Sequence, residues 1–532
     1  MKNLNLKKFL VLFSFFVSLS LSAQKNEAPR FEYTVSVPDP GSHTYHVATR
    51  ILNWPTDTIT LHLPNWMPGY YQMMDYYKGL KNFKVLSGQS FDDSRPATWV
   101  LTGVKGKAVQ LEYDMYTDRT FVANSYVDED RAYIIPVNSF LYAEGHLKMP
   151  ITVTVEKSNG WTDVVTGLEL VEENAQKAVF RSNHFDDFLD SPLLMGNLKK
   201  LPDFQVGGTN HRFWGYNPGE FDEKKLMDNL KSVIEVASGI IGHIPYEEYT
   251  FIGIGPGRGG IEHLNSSTVS FDGGQMGSPQ AYQRMVNFLS HEYFHHYNVK
   301  RIRPFELGPF DYQNGSKTTQ LWISEGLTSY YAGIMVRRAG IYSEADFLQE
   351  IAAGITQFEN NPGKDFQSLI ESSFETWHEG PFGTSGKDPN KSISYYVKGP
   401  IVGLLMDFGI RQATNNAKSL DDVMRHMYHE YYLKKGRGFT DAEFRNACTF
   451  IAGTPLTELF QYVYTPKPLD YDTYLGYAGL ELEKKQETQT IRGRDGESTE
   501  KVMDVYSLVP VNNPNASQKA ILDSWMGKNK VQ

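Results

Sequence analysis

Two textures of apolar and polar positions divide the chain. From residue 31 to about 155 the pattern is short alternating runs, at 31–37, 44–52, 58–63, 109–113 and 151–155, broken by Pro, Gly, Asn and Asp. Such runs predict half-buried strands. After about residue 203 the period lengthens. Leu226, Leu230, Ile234 and Ala237 recur at helical spacing within 222–241, and no proline interrupts before Pro245. A strand is expected at 249–254, then a glycine-rich turn, then helices at 279–299, 319–339, 343–356, 400–414, 420–432 and 441–451. The chain shows no internal repeat and no low-complexity linker. These patterns predict an α+β architecture, with an N-terminal β-sandwich-like domain over 24–203 and a mostly α-helical domain over 204–482. Residues 483–532 are polar with charge clusters, and read as a loosely packed tail or the remnant of a small domain.

The first 23 residues stand outside this scheme. Lys2, Lys7 and Lys8 precede an almost unbroken apolar run from Phe9 to Leu21, and the small Ser22 and Ala23 follow. This is a secretory leader in outline, too short for a membrane span. The formal charge of −10 becomes −13 when those three lysines leave, because the segment carries no acid. An acidic chain of this kind disfavours nucleic acid and anionic membranes as partners, and no stable membrane insertion is expected after the leader is removed. Cys448 is the single cysteine, so no internal disulfide can form. Export without disulfides points to the bacterial envelope, periplasmic or extracellular. Oligomeric state is not legible.

The chemistry is concentrated at His291-Glu292-Tyr293-Phe294-His295. Ser278 and Pro279 form a helix start, and no breaker intervenes before Pro304. His291 and His295 therefore stand one turn apart on one face, where two imidazoles can reach a single zinc ion. Glu292 is next around the helix, placed to act on water instead of binding the metal. Phe288, Leu289, Phe294 and Tyr297 make the segment apolar on several sides, so its polar groups need buried partners. His296 points about 100° away from His295 and is the weaker candidate ligand. Glu325 is the sole acid between Thr318 and Ile341, on an apolar helical run, where a lone carboxylate calls for a buried cation. It is the candidate third ligand; a solvent-facing Glu325 is the alternative.

The run His291–Pro304, together with Trp322 to Tyr331, Leu63-Pro64-Asn65-Trp66-Met67-Pro68-Gly69-Tyr70 and Leu189-Asp190-Ser191-Pro192, resembles the glycyl aminopeptidase family of gluzincin metallopeptidases. The resemblance runs from about residue 31 to 482. It implies a thermolysin-like zinc peptidase domain behind the β-rich front, with one Zn2+ held by His291, His295 and Glu325. Gly259-Gly260-Ile261-Glu262-His263 resembles the segment with which such enzymes hold a substrate's free amino terminus, which assigns substrate binding to Glu262, Gly259 and Gly260. Tyr395-Tyr396-Val397-Lys398-Gly399 resembles the segment carrying the oxyanion donor; Tyr396 takes that role by the match, and Tyr395 competes for it.

The resemblance implies an enzyme that removes the first residue, Gly or Ala, from peptides with a free N-terminus, using metal-activated water and Glu292 as general base. Two other readings stay open: a catalytically silent envelope protein that binds peptides or glycans, and a zinc endopeptidase. The chain also departs from the family pattern, because the residues after 482 are too few for the PDZ domain that many members carry.

Overall fold

The computed structural model describes residues 28–157, 160–381, 388–492 and 498–528. The leader read at 1–23 lies outside the described residues.

In the front half, alternation does what it should. Phe31, Tyr33 and Val35 on Arg30–Ser36, and Tyr45, Val47 and Ile51 on Thr44–Leu52, are buried while their neighbours face outward. These two strands lie at the centre of a seven-stranded sheet, flanked by the parallel Ile151–Glu156 and the antiparallel Val109–Tyr116. Two four-stranded sheets complete the β-rich front.

The rear half starts with a sheet in which Thr209–Gly215, Glu248–Gly253 and Ser266–Val269 run parallel, and Gly260–Glu262 pairs antiparallel to the last of these as an edge strand. Helices follow, so the architecture is α+β as the patterning predicts. The helix expected over 222–241 is Glu223–Ile241, and Asp222 caps it by accepting from Lys225 N at 2.9 Å. Other boundaries differ for identifiable reasons. The helix expected to start at Pro400 begins at Tyr395, because Ser394 supplies the cap and Pro400 is tolerated inside. The helix expected over 319–339 opens with a π-helical turn, Trp322–Leu327, before regular Thr328–Arg338. Leu369–Glu379 and Thr457–Tyr464 are helices that the pattern did not reveal. Among the described residues, no helix is long and apolar enough to cross a membrane.

Two hydrophobic cores interlock. Trp66 and Tyr71, from the front segment, are buried in the rear core, while Ile252, Ile254 and Ile261 of the rear sheet are buried in the front core. The loop bearing Trp66 is also pinned by hydrogen bonds: Trp66 Nε1 donates to Asp311 O at 2.7 Å and Asn65 N to Tyr312 O at 2.8 Å.

The segment expected to be a loosely packed tail is instead part of the rear core. Leu480–Arg492 and Ser498–Pro510 form a hairpin, and Leu480, Leu508, Ile521 and Trp525 are buried. Exposed polar residues on the hairpin and in the loop after it outnumber the buried anchors, which misled the reading of the whole segment. Trp525 Nε1 donates to Tyr330 Oη at 3.0 Å, and Tyr330 in turn donates to Asp407 at 2.6 Å. Trp525→Ala should therefore lower stability by about 3–5 kcal/mol, read as a shift in the denaturation midpoint. A change below about 1 kcal/mol would show that this helix is not part of the cooperative fold.

Candidate metal centre

Ser278 Oγ accepts from Ala281 N at 3.2 Å and starts the helix Pro279–Phe294 with proline at its first position. His291 lies on its last turn and His295 is its C-cap. Glu325 comes from the π-helical turn of the next long element and is 1% exposed. The three converge. His291 Nε2 and His295 Nε2 are 2.9 Å apart, and Glu325 Oε2 lies 3.1 Å from His295 Nε2 and 3.6 Å from His291 Nε2. Donors about 2.0–2.1 Å from one ion at tetrahedral angles stand about 3.3 Å from each other, in the middle of that range. Glu325 Oε2 is buried and accepts no hydrogen bond, as a ligand oxygen would be. Among the described residues this is the one group of three such side chains suited to a metal ion. The residues fit zinc.

The ligands are held from behind. His295 Nδ1 donates to Asn298 O at 2.8 Å, which leaves the Nε2 lone pair for a metal. His291 Nδ1 lies 3.4 Å from Ser329 Oγ. Asn298 Nδ2 donates to Ile323 O at 2.7 Å and Thr328 Oγ1 at 3.0 Å, clamping the end of the first helix to the turn that bears Glu325. Tyr71, from the front half, is close enough to the Glu325 carboxylate for that charge to help push its hydroxyl well above the ordinary range, after burial.

Charge explains the protonation states. Burial opposes ionisation of Glu325, yet His295 and His291 hold its carboxyl well below the usual range. Burial likewise lowers His295, but Glu325, Glu262 and Glu292 outweigh it and push the imidazole up to about 10. A dication seated among the three would meet the same demand for positive charge. Glu292, 6% exposed, is pushed up to about 8, chiefly by burial and then by Glu262 and Glu325.

A cavity of about 990 Å³ opens beside this cluster, lined by His291, Glu292, Gly259, Gly260, Tyr71 and Tyr396 among others. A Cβ on Gly260 would lie 2.5 Å from Glu292 Cδ, so only glycine lets the strand pass so close to that carboxyl. The Tyr396 ring is 6.0 Å from the His291 ring and faces the cavity. Tyr395 is buried, its hydroxyl bonds Thr376 Oγ1 at 3.0 Å, and it does not itself line the cavity. The helix bearing Tyr396 approaches the Glu325 turn through two glycines: a Cβ on Gly326 would lie 2.7 Å from Gly399 Cα. His296 is fully buried among Tyr246, Tyr293 and Tyr297, outside the cluster.

Glu262, on the edge strand, is 3% exposed, with Lys300 Nζ 3.8 Å from Oε1 and no hydrogen bond to that oxygen. Lys300 is itself paired with Asp190 at 2.9 Å, and Asp190 also meets His263 Nδ1 at 3.2 Å. Sequence reasoning assigned no role to Tyr71, Asp190, Asn298 or Lys300. Their signal was present: each lies in, or directly after, a motif that carried the family resemblance, but spacing alone could not say what it touches.

A family model of M61 glycyl aminopeptidase matches residues 284–402, and one of the peptidase M61 N-terminal domain matches residues 32–197. No curated protein matches. Among solved structures, an aminopeptidase N family protein from Idiomarina loihiensis is similar at 24% identity and TM-score 0.80, over 90% of this chain and 86% of that one. An M1 zinc metallopeptidase from Deinococcus radiodurans is similar at 14% identity and TM-score 0.52, over 83% of this chain and 94% of that one. These structural likenesses show the fold.

Metal binding should be visible in stability. Zinc at a hundredfold over its dissociation constant should add about 2.7 kcal/mol to unfolding. Glu325→Gln should abolish most of that gain, since it removes the charged donor. An equal gain in wild type and variant would place the metal elsewhere.

Proposed function

The chain belongs to the M61 glycyl aminopeptidase family and is a zinc metallo-aminopeptidase, and on that premise we propose that it removes an N-terminal residue, Gly or Ala, from peptides with Glu292 as general base. The observation that carries this reading is the Glu292 carboxyl, buried in the cavity wall beside His291 and packed against Gly260. One zinc ion held by His291, His295 and Glu325 would supply Lewis acidity, acidifying water and polarising a carbonyl group.

The protein's own groups do the rest. Glu292 takes a proton from the attacking water and delivers it to the leaving amine; its place in the cavity wall beside His291 suits it to both halves of that transfer. Tyr396, on the cavity wall, donates its hydroxyl hydrogen to the oxygen that gains charge in the tetrahedral adduct. Glu262 receives the substrate's ammonium group, while Lys300, 3.8 Å from its Oε1, balances part of its charge. Fixing the amine there limits cleavage to the first peptide bond. Gly259 and Gly260 let a substrate backbone approach the edge strand. The basic start and apolar run of the first 23 residues support a secreted protein, periplasmic or extracellular.

The decisive assay offers zinc-loaded protein alanine p-nitroanilide and its N-acetyl form. Only the free amine should be hydrolysed, and Glu292→Gln should retain zinc while losing turnover. Hydrolysis of both substrates at one rate would defeat the aminopeptidase assignment, and turnover by Glu292→Gln would defeat the role of the base. Tyr396→Phe should lower kcat by roughly 10²–10³-fold. If Tyr395→Phe has that effect and Tyr396→Phe does not, the donor is misassigned.

A further inference from the structure

We propose that the cleft is built for short peptides of three to four residues with a free C-terminal carboxylate, which Arg258 and Arg284 recognise. The inference rests on the aminopeptidase reading and extends it to the far end of the same cavity.

The cavity is electrically polar. Glu292 lines its metal end, and the buried Glu262 and Glu325 act on that carboxyl from nearby. Arg258 and Arg284 line it elsewhere, both exposed, and among the described residues neither guanidinium has an ion-pair or hydrogen-bond partner. Two acids, Asp346 and Glu350, share that wall. Asp346 Oδ2 accepts from Ser343 N at 3.1 Å, Ser343 Oγ at 2.7 Å and Gln283 Nε2 at 3.1 Å. Glu350 is exposed and accepts from Asn287 Nδ2 at 2.8 Å. Both acids are engaged by neutral donors, and the two arginines are left to whatever enters the cleft. A guanidinium suits a carboxylate, which it can grip through two parallel hydrogen bonds.

The facing helix gives a length. Gly260–Glu262 is an edge strand, so its outer side is open to pairing. A peptide with its amine at Glu262, running antiparallel to that strand, heads toward the bend that carries Arg258, four positions back. On the helix, Arg284 precedes His291 by seven positions and shares its side, about 10.5 Å away along the axis. At roughly 3.3 Å per residue, that span is one of three to four extended residues. A zwitterionic peptide of that size meets carboxylates at its amino end and guanidinium groups at its carboxyl end.

The test compares Ala-Ala-Ala-Ala with its C-terminal amide on the zinc-loaded full chain. The free acid should have a kcat/KM about tenfold or more above the amide, and octa-alanine and its amide should differ by less than about twofold. The double variant Arg258→Gln/Arg284→Gln should bring the tetrapeptide ratio to within about twofold of one, whereas Arg284→Lys should retain part of it. Because each variant is judged by its own acid-to-amide ratio, a general loss of activity cancels. A wild-type ratio near one, a ratio that survives in the double variant, or an equal preference in the octapeptide pair would overturn the inference. All three leave the aminopeptidase reading intact, since that reading stands on wild-type turnover of alanine p-nitroanilide. Failure to cleave that anilide and both tetrapeptides would sink the two together.

Discussion

Burying three carboxylates close enough to repel one another is the constraint that organises this protein. Glu262, Glu292 and Glu325 are all less than a tenth exposed. An ionised carboxylate removed from water without a partner costs several kcal/mol, and three together add mutual repulsion. Each therefore has its own means of relief. Glu325 has two imidazoles. Glu262 has Lys300, which Asp190 anchors. Glu292 has His295 nearby and a carboxyl raised by burial. The chemistry assigned to the site is a use of that stored negative charge.

Geometry is enforced by contacts that tolerate little variation. Asn298 joins the histidine helix to the Glu325 turn. Gly326 and Gly399 bring the Tyr396 helix against that same turn, and Gly260 admits the edge strand beside Glu292. The π-helical turn at Glu325 is consistent with a segment shaped by its site and not by helix propensity. None of these devices touches solvent broadly. They act by fixing distances between elements remote in sequence.

What could be read from the sequence follows from range. His291 and His295 are four positions apart on a capped helix, so local periodicity placed them together. Strands such as Thr44–Leu52 alternate cleanly and were legible to the residue. Glu325 was legible as an acid isolated on an apolar run. Its convergence on the histidines was not, because thirty positions of chain with a tight turn at 295–302 lie between. Lys300 and Asp190 pair across 110 positions, which no local pattern encodes. Proline misplaced a helix start, since Pro400 reads as a first-turn residue while Ser394 is the real cap. The C-terminal segment was misread because its charges are frequent and its buried anchors, Leu508 and Trp525, are few and far apart.

The exchange of side chains between the two cores has a mechanical consequence. Swinging one half away from the other would withdraw Trp66 from its aromatic neighbours Phe310 and Trp377 and strip Ile252 and Ile254 of their cover. Clamshell opening is thereby opposed by the same burial that makes the halves cohere. The width of the mouth is then decided when the chain folds, and access is a matter of threading: a folded protein must offer a free, extended end before any part of it can reach Glu292.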